Sequence, residues 1–385
     1  MNTTRRTVLQ GMLTAGAMLQ AAAAAAQAPA GRQTAEPGAA GAATPIAKNP
    51  RYKRIATEEA WITREIAEES KRLIDSNPPD EPGFVAFGGR YYAQGANNPL
   101  VASLMDIGDG RIAAMDRLGI DMQVLALTGP GVQVFDADTA TALAADSNDQ
   151  LAEAIAKHPD RFAGLTAVAP QDPARAAREL ERGMQRLGLK GAIVNSHTKG
   201  EYLDDPKYWE LLEAAEALNA PIYIHPRDLP PGMLRPYLDR GLEAGILGFA
   251  ADVALHTLAI VTAGVFDRFP NLQIVIGHAG EGLPYMLYRI DYMQRAVREG
   301  RGGLKLEKRP SDYMRENVHI TTSGMAWEPA IRFAQSVLGV ERVVYAMDYP
   351  YQADPSEVLA MDAMEMDDAD KKLFFKGNAE RLFRL

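Results

Sequence analysis

The sequence predicts an α/β fold, a (β/α)8 TIM-type barrel with insertions at its C-terminal face. Three observations predict it. Short β-rich runs alternate with amphipathic segments from residue 54 onward, the runs number eight, and each is near-continuously apolar. Parallel strands covered on both faces have that composition, whereas half-exposed strands alternate. A doubly wound open sheet is the competing arrangement, but no G-x-G-x-x-G follows the first run, which argues against a dinucleotide fold.

In order, the runs are RIATEE (54–59), MQVLALT (122–128), FAGLTAV (162–168), GAIVNS (191–196), PIYIHP (221–226), QIVIGHAG (273–280), VHITTSG (318–324) and RVVYAMDYP (342–350). Between them lie helical patterns such as DGRIAAMDRLG, PARAARELERGMQRLG and PKYWELLEAAEALN. Several end in Gly or Asn, residues that tolerate the left-handed conformation closing a helix. Segments 66–110, 227–255 and 292–317 are too long for simple crossovers and are assigned to the barrel mouth.

The chain has 385 residues, of which 47% are hydrophobic and 24% charged, enough for a packed core. Its net charge of −9, with no long Lys/Arg cluster, argues against a nucleic-acid partner. It contains no cysteine, which excludes disulfides, thiolate metal sites and cysteine nucleophiles.

Residues 1–28 read as a twin-arginine export signal: Arg5 and Arg6 precede a Gly/Ala-rich apolar run that ends in small residues. Pro29 directly follows Ala28, so a cut after Ala26 is preferred to one after Ala28. An uncleaved Ala-rich helix is the alternative. Residues 29–51, rich in Pro, Gly and Ala, read as a disordered tether, and 52–385 as the barrel domain. The mature protein is expected in the periplasm, without a membrane span.

In such a barrel the polar residues at strand C-termini converge on the active site. Here they are Glu58 and Glu59, Thr128, Asn195, His225, His278, Ser323 and Asp348. Each alone has a bland reading: a strand-tip histidine can be a satisfied core group, and an aspartate can cap a turn. His225, His278 and Asp348 together, on strands five, six and eight, are harder to dismiss. Imidazole and carboxylate converging in a cavity is a divalent-metal arrangement. The other histidines read as structural: His158 at a helix end, His256 packed in an apolar helix, His319 inside strand seven. His197, in a loop, is a weaker substrate contact.

An acidic residue on strand one, YIHP on strand five, IGHAGEGLPYMLYRID on strand six and YAMDYPY on strand eight together resemble the amidohydrolase superfamily. Within it the likeness is to the metal-dependent, non-oxidative decarboxylases of aromatic acids, the o-hydroxybenzoate group, and it spans residues 52–385. RIATEEAW, LALTGPGVQ, APQDP, NSHTKGEYLDD and TTSGMAWEPAI carry it further.

The superfamily's first strand typically holds H-x-H on a metal. Side chains alternate with period two, so the equivalent pair here is Glu58 and Ala60, with Glu59 facing the other way. The resemblance therefore implies metal ligands Glu58, His225 and Asp348. Strand four offers Asn195 and no lysine for a bridging carbamate, which implies a single ion. One nitrogen and two carboxylates favour a hard cation. The resemblance points to Mn²⁺, with Zn²⁺ second.

The implied substrate is a small phenolic aromatic carboxylate with ortho-hydroxy or methoxy groups. Asp348 is the implied proton donor to the ring, and His278 polarises substrate or steadies developing charge. Glu281 either orients His278 or is a helix N-terminal charge. Arg111 matches a family arginine that contacts substrate, while Tyr92 and Asn195 are candidates by placement. Arg301, Lys305 or Arg309 would lend a cation to a neighbouring subunit of a homodimer or homotetramer. Two other functions compete: metal-dependent hydrolysis of a lactone or amide, and an exported protein that binds an aromatic acid or metal without turnover.

Overall fold

The computed structural model describes residues 45–301 and 305–385. The expected signal, 1–28, and residues 29–44 of the expected tether lie outside them. The barrel forms one compact unit, Pro45–Leu385. Its parallel strands are β1 (Ile55–Trp61), β2 (Met122–Leu127), β3 (Phe162–Gly164), β4 (Thr166–Ala167), β5 (Ala192–Val194), β6 (Ile222–Ile224), β7 (Ile274–Ile276), β8 (Val318–Thr321) and β9 (Val343–Val344).

All eight apolar runs are strands, the third one divided. β3 pairs with β2 and β4 with β5, and Leu165 hands one to the other by donating its amide to Leu125 O at 2.9 Å. Beyond β9 the Thr57 amide reaches Tyr345 O at 3.1 Å and the Ala60 amide reaches Tyr349 O at 2.8 Å. The eight staves thus close into a barrel with no free edge.

β1 is irregular. Its register against β2 shifts between Ala56 and Glu59, a bulge of the kind that re-aims side chains beside active sites. The expected helix stops are present: Gly119, Gly188 and Asn219 all have positive φ, at 65°, 75° and 48°. The long segments contain helices of their own, among them Pro82–Tyr92 and Gly248–Thr262 at the mouth.

One boundary needs correction. Residues 45–51 belong to the barrel unit and not to a tether. The Ile46 amide donates to Arg117 O at 2.9 Å, and Ala47 O accepts from Arg54 Nη1 at 3.1 Å. A single isoleucine in a Pro/Ala/Asn-rich stretch anchors it, a signal that composition hides. Among the described residues no helix is long and apolar enough to cross a membrane.

Candidate active site

Strand ends bring the key side chains together. Glu58 leaves β1 at its bulge, His225 follows β6 directly, His278 stands two residues past β7, and Asp348 lies four past β9. Glu58 is buried, with Oε2 accepting from Thr321 Oγ1 at 2.6 Å and from the Tyr223 hydroxyl. Its Oε1 is buried and has no hydrogen-bond donor. Oε1 instead faces His225 Nε2 and His278 Nε2, each 3.5 Å away.

That separation tests whether an ion fits. It is longer than a good hydrogen bond. Two ligands each about 2.1 Å from one cation lie about 3.0–3.5 Å apart. An orphaned carboxylate oxygen facing two imidazoles at 3.5 Å is therefore a donor set that suits a divalent cation.

Glu58, His225 and His278 form the tight group of ligand atoms among the described residues. Asp348 lines the same cavity, and its Oδ2 and the His278 ring both approach within 3.4 Å of where a Cβ on Gly324 would sit. The structure thus gathers all four expected residues, with His278 nearer to Glu58 and His225 than the ligand set anticipated. Glu281, read as either an orienter or a helix charge, places its Oε1 2.5 Å from His278 Nδ1, the contact that orienting the ring requires.

Crowded acids in a dry site resist ionisation. Burial raises Glu58 above its ordinary carboxylate range, against the lowering effect of His278 and Thr321. Burial, with Glu58 nearby, pushes Asp348 up to about 8 against the pull of His278. Burial disfavours a charged His278, but Glu281, Glu58 and Asp348 outweigh it and push the ring up to about 10. Burial and the neighbouring His278 lower His225 to about 3, so it is neutral, as a ligand must be.

The cavity holds about 490 Å³, room for one substituted ring. Its walls include Phe87, Tyr91, Phe249 and Tyr351, with Asp228 and Gln352 as polar features.

Three expected substrate contacts do not line this cavity. Arg111 is fully buried behind it, donating to Asp106 O at 2.9 Å and to Ala60 O at 2.8 Å, with its guanidinium over the Tyr349 ring. Its Nε and Nη2 serve the backbone, and Nη1 is buried without a hydrogen-bond partner. Tyr92 is buried against Phe84, while Tyr91 faces the cavity with Phe87, one helical turn away. Asn195 turns its amide to Leu127 O at 3.2 Å and supports the 129–131 loop.

His197 is also structural: Nδ1 accepts from the Gly200 amide at 3.1 Å and Nε2 donates to Asp228 O at 2.9 Å. Of the cations proposed for a neighbour, Arg309 is engaged by Asp312 at 2.7 Å, Lys305 is exposed, and the Arg301 side chain lies outside the described residues. The residues missed from sequence had readable signals. Tyr223 stands two before His225 and so faces inward with it, and the i, i+4 aromatic pair in FVAFGGRYY marks a helix face.

Residues 98–385 match the sequence model of the amidohydrolase family, and the chain belongs to that family. It is 36% identical over 344 residues to gamma-resorcylate decarboxylase of Polaromonas sp., covering 86% of this chain and 98% of that one.

Two solved structures are similar. The 5-carboxyvanillate decarboxylase of Novosphingobium aromaticivorans, with manganese and 4-hydroxy-3-methoxy-5-nitrobenzoic acid, superposes with a TM-score of 0.85 at 47% identity, over 89% of this chain and 99% of that one. A dihydroxybenzoic acid decarboxylase of Polaromonas sp., with manganese and 2-nitroresorcinol, gives 0.75 at 34% identity, over 87% and 97%.

Proposed function

We propose that this chain is a metal-dependent, non-oxidative decarboxylase of a phenolic aromatic carboxylic acid, a carbon–carbon lyase whose substrate resembles 5-carboxyvanillate. The observation that carries the reading is the orphaned Glu58 Oε1 facing two imidazoles that, with Asp348, line a one-ring cavity. The similar decarboxylases holding manganese support both the reaction and Mn²⁺, with Zn²⁺ the second choice.

Glu58 and His225 would hold the ion, and Asp348 would complete the set, its carboxylate with that of Glu58 balancing a dication. The tight grouping favours a second reading in which His278 is the third ligand. Metal content of Asp348→Asn and His278→Asn separates the two. When bound, the ion supplies Lewis acidity and a fixed anchor for substrate oxygens.

The residues do the rest. Direct loss of CO2 from an arene carboxylate leaves an unstabilised aryl anion, so a proton reaches the ring carbon first. Asp348 delivers it, as the carboxylic acid that forms when substrate binding brings a proton into the site. An ortho oxygen donates electron density as the C–H bond forms. The C–CO2 bond then breaks, its electron pair restores the aromatic ring, and Asp348 is left as carboxylate. His278, held by Glu281, presents Nε2 toward the charge that develops. Phe87, Tyr91, Phe249 and Tyr351 flank the ring and exclude water.

We also read the enzyme as exported to the periplasm through Arg5 and Arg6, and as a homodimer or homotetramer. Exposed Tyr285, Tyr288 and Tyr292 on one helix support the latter, because a free surface seldom keeps such a row. Neither nucleic acid nor, in the mature form, membrane is a partner.

Incubating the Mn²⁺-loaded chain with a panel of ortho-hydroxybenzoates and measuring CO2 tests the reaction. Hydrolysis of lactones or amides without CO2 supports the hydrolase, and tight binding without turnover supports the binding protein. Light-scattering mass and the N-terminus of exported protein test assembly and signal.

A further inference from the structure

Glu59 is a fully buried carboxylate that points away from the cavity. No lysine or arginine pairs with it among the described residues. Its partners are backbone amides: Met347 N–H donates to Oε1 at 3.0 Å, and Tyr349 N–H donates to Oε2 at 3.2 Å. Gln123 Nε2 adds a third bond at 3.2 Å. The two amides belong to the residues on either side of Asp348.

Asp348 needs such support. Its φ is 72°, in the left-handed region that L-residues enter at a cost. It lies four residues beyond the end of β9, where the ladder with β8 has already stopped. Backbone ties from β1 flank it, Thr57 N–H to Tyr345 O at 3.1 Å and Ala60 N–H to Tyr349 O at 2.8 Å. Arg111 backs the second, donating to Ala60 O at 2.8 Å with its guanidinium 4.7 Å from the Tyr349 ring centre.

We infer that Glu59 is a positioning residue for Asp348, fixing the peptide groups on both sides of it so that its carboxyl enters the cavity. Adjacent glutamates on one bulged strand thus divide the site: Glu58 enters it, and Glu59 clamps the strand tip that carries its acid. The inference rests on the reading of Asp348 as the ring-protonating group.

A purely structural staple between β1 and β9 is the alternative, and Thr57 provides its control. Thr57 Oγ1 also bonds the β9 segment, at Tyr345 O (2.9 Å), away from Asp348. The test compares Mn²⁺-loaded full chains of wild type, Glu59→Gln, Glu59→Leu, Thr57→Val and Asp348→Asn. It reads kcat, affinity for a non-reactive nitro analogue, Tm, and hydrogen–deuterium exchange at Met347 and Tyr349.

Glu59→Gln keeps one acceptor and is expected to lose about 10- to 100-fold in kcat, the usual scale for groups that orient a metal site. Analogue affinity should change by less than about 3-fold, as orientation and binding separate. Exchange should quicken at Met347 and Tyr349 and stay unchanged elsewhere. Glu59→Leu should lose more, and if it does not fold Glu59→Gln carries the test. Thr57→Val should lower Tm and keep kcat. Wild-type kcat in Glu59→Gln, or a loss that merely tracks Tm as in Thr57→Val, overturns the inference. Turnover by Asp348→Asn would instead fault the reading of Asp348.

Discussion

Glu58 Oε1 lies 3.5 Å from His225 Nε2 with no hydrogen donor of its own, at the centre of a barrel mouth whose strand ends converge there. A buried, unpaired carboxylate oxygen is costly, and a bound dication removes the cost. Chelation should therefore lower the Tm of the wild-type protein by several degrees, because a ligand held only by the native state stabilises it. Glu58→Gln should purify without metal, lack turnover and show no Tm response to chelator. A chelator shift as large in Glu58→Gln as in wild type would place the ion elsewhere.

Gly277 sits under that carboxylate. A Cβ there would lie 2.8 Å from Glu58 Oε2 and 2.9 Å from Oε1, while its φ of −78° suits any residue. Gly277→Ala should therefore spare the backbone and displace the ligand. We expect metal affinity and kcat to fall about 10- to 100-fold. Metal titration with an unchanged affinity would show that Glu58 tolerates the shift.

Tyr91 and Tyr92 are adjacent and have opposite fates. Tyr91→Ala should raise KM about 10-fold by removing a wall of the cavity, roughly the worth of one aromatic contact. Tyr92→Phe, behind the wall, should leave KM unchanged. Steady-state kinetics with the reverse ranking would mean that the helix Pro82–Tyr92 presents its other face.

His256 gives a pH prediction. Its Nε2 accepts from the Leu203 amide at 3.0 Å and Nδ1 lies 3.3 Å from Ser196 Oγ, which fixes a neutral ring. Burial lowers it to about 3. Below about 6.5 the unfolded chain binds this proton and the folded chain does not, so the wild type loses stability as pH falls. His256→Gln lacks that linkage. The stability gap between the two, from urea unfolding, should shrink by up to about 1.4 kcal/mol per pH unit below about pH 6.5. A gap independent of pH between 7 and 5 would contradict a neutral His256.

Much of this site was legible in sequence because parallel strands buried on both faces appear as continuous apolar runs, and the residue closing each run is the one the barrel mouth receives. Period-two alternation then separates Glu58 from Glu59. Other features depend on contacts that no local pattern encodes. Glu59 finds its partners 288 and 290 residues away, on the other side of the barrel seam. Choosing Tyr91 over Tyr92 requires knowing the phase of a helix that starts at Pro82. Arg111 carries a fork suited to carboxylates, yet the nearby carbonyls of Ala60, Ser103 and Asp106 take its Nε and Nη2. Ile46 docks a segment whose composition reads as linker.

The most direct test of the central claim is turnover of 5-carboxyvanillate by the Mn²⁺-loaded chain in D2O, alongside Asp348→Asn. One CO2 should be released per product, with a single deuterium at the ring carbon that bore the carboxylate, and Asp348→Asn should give neither. CO2 release and ring deuteration by Asp348→Asn at the wild-type rate, or no CO2 from the wild type across the ortho-hydroxybenzoates, would contradict that claim.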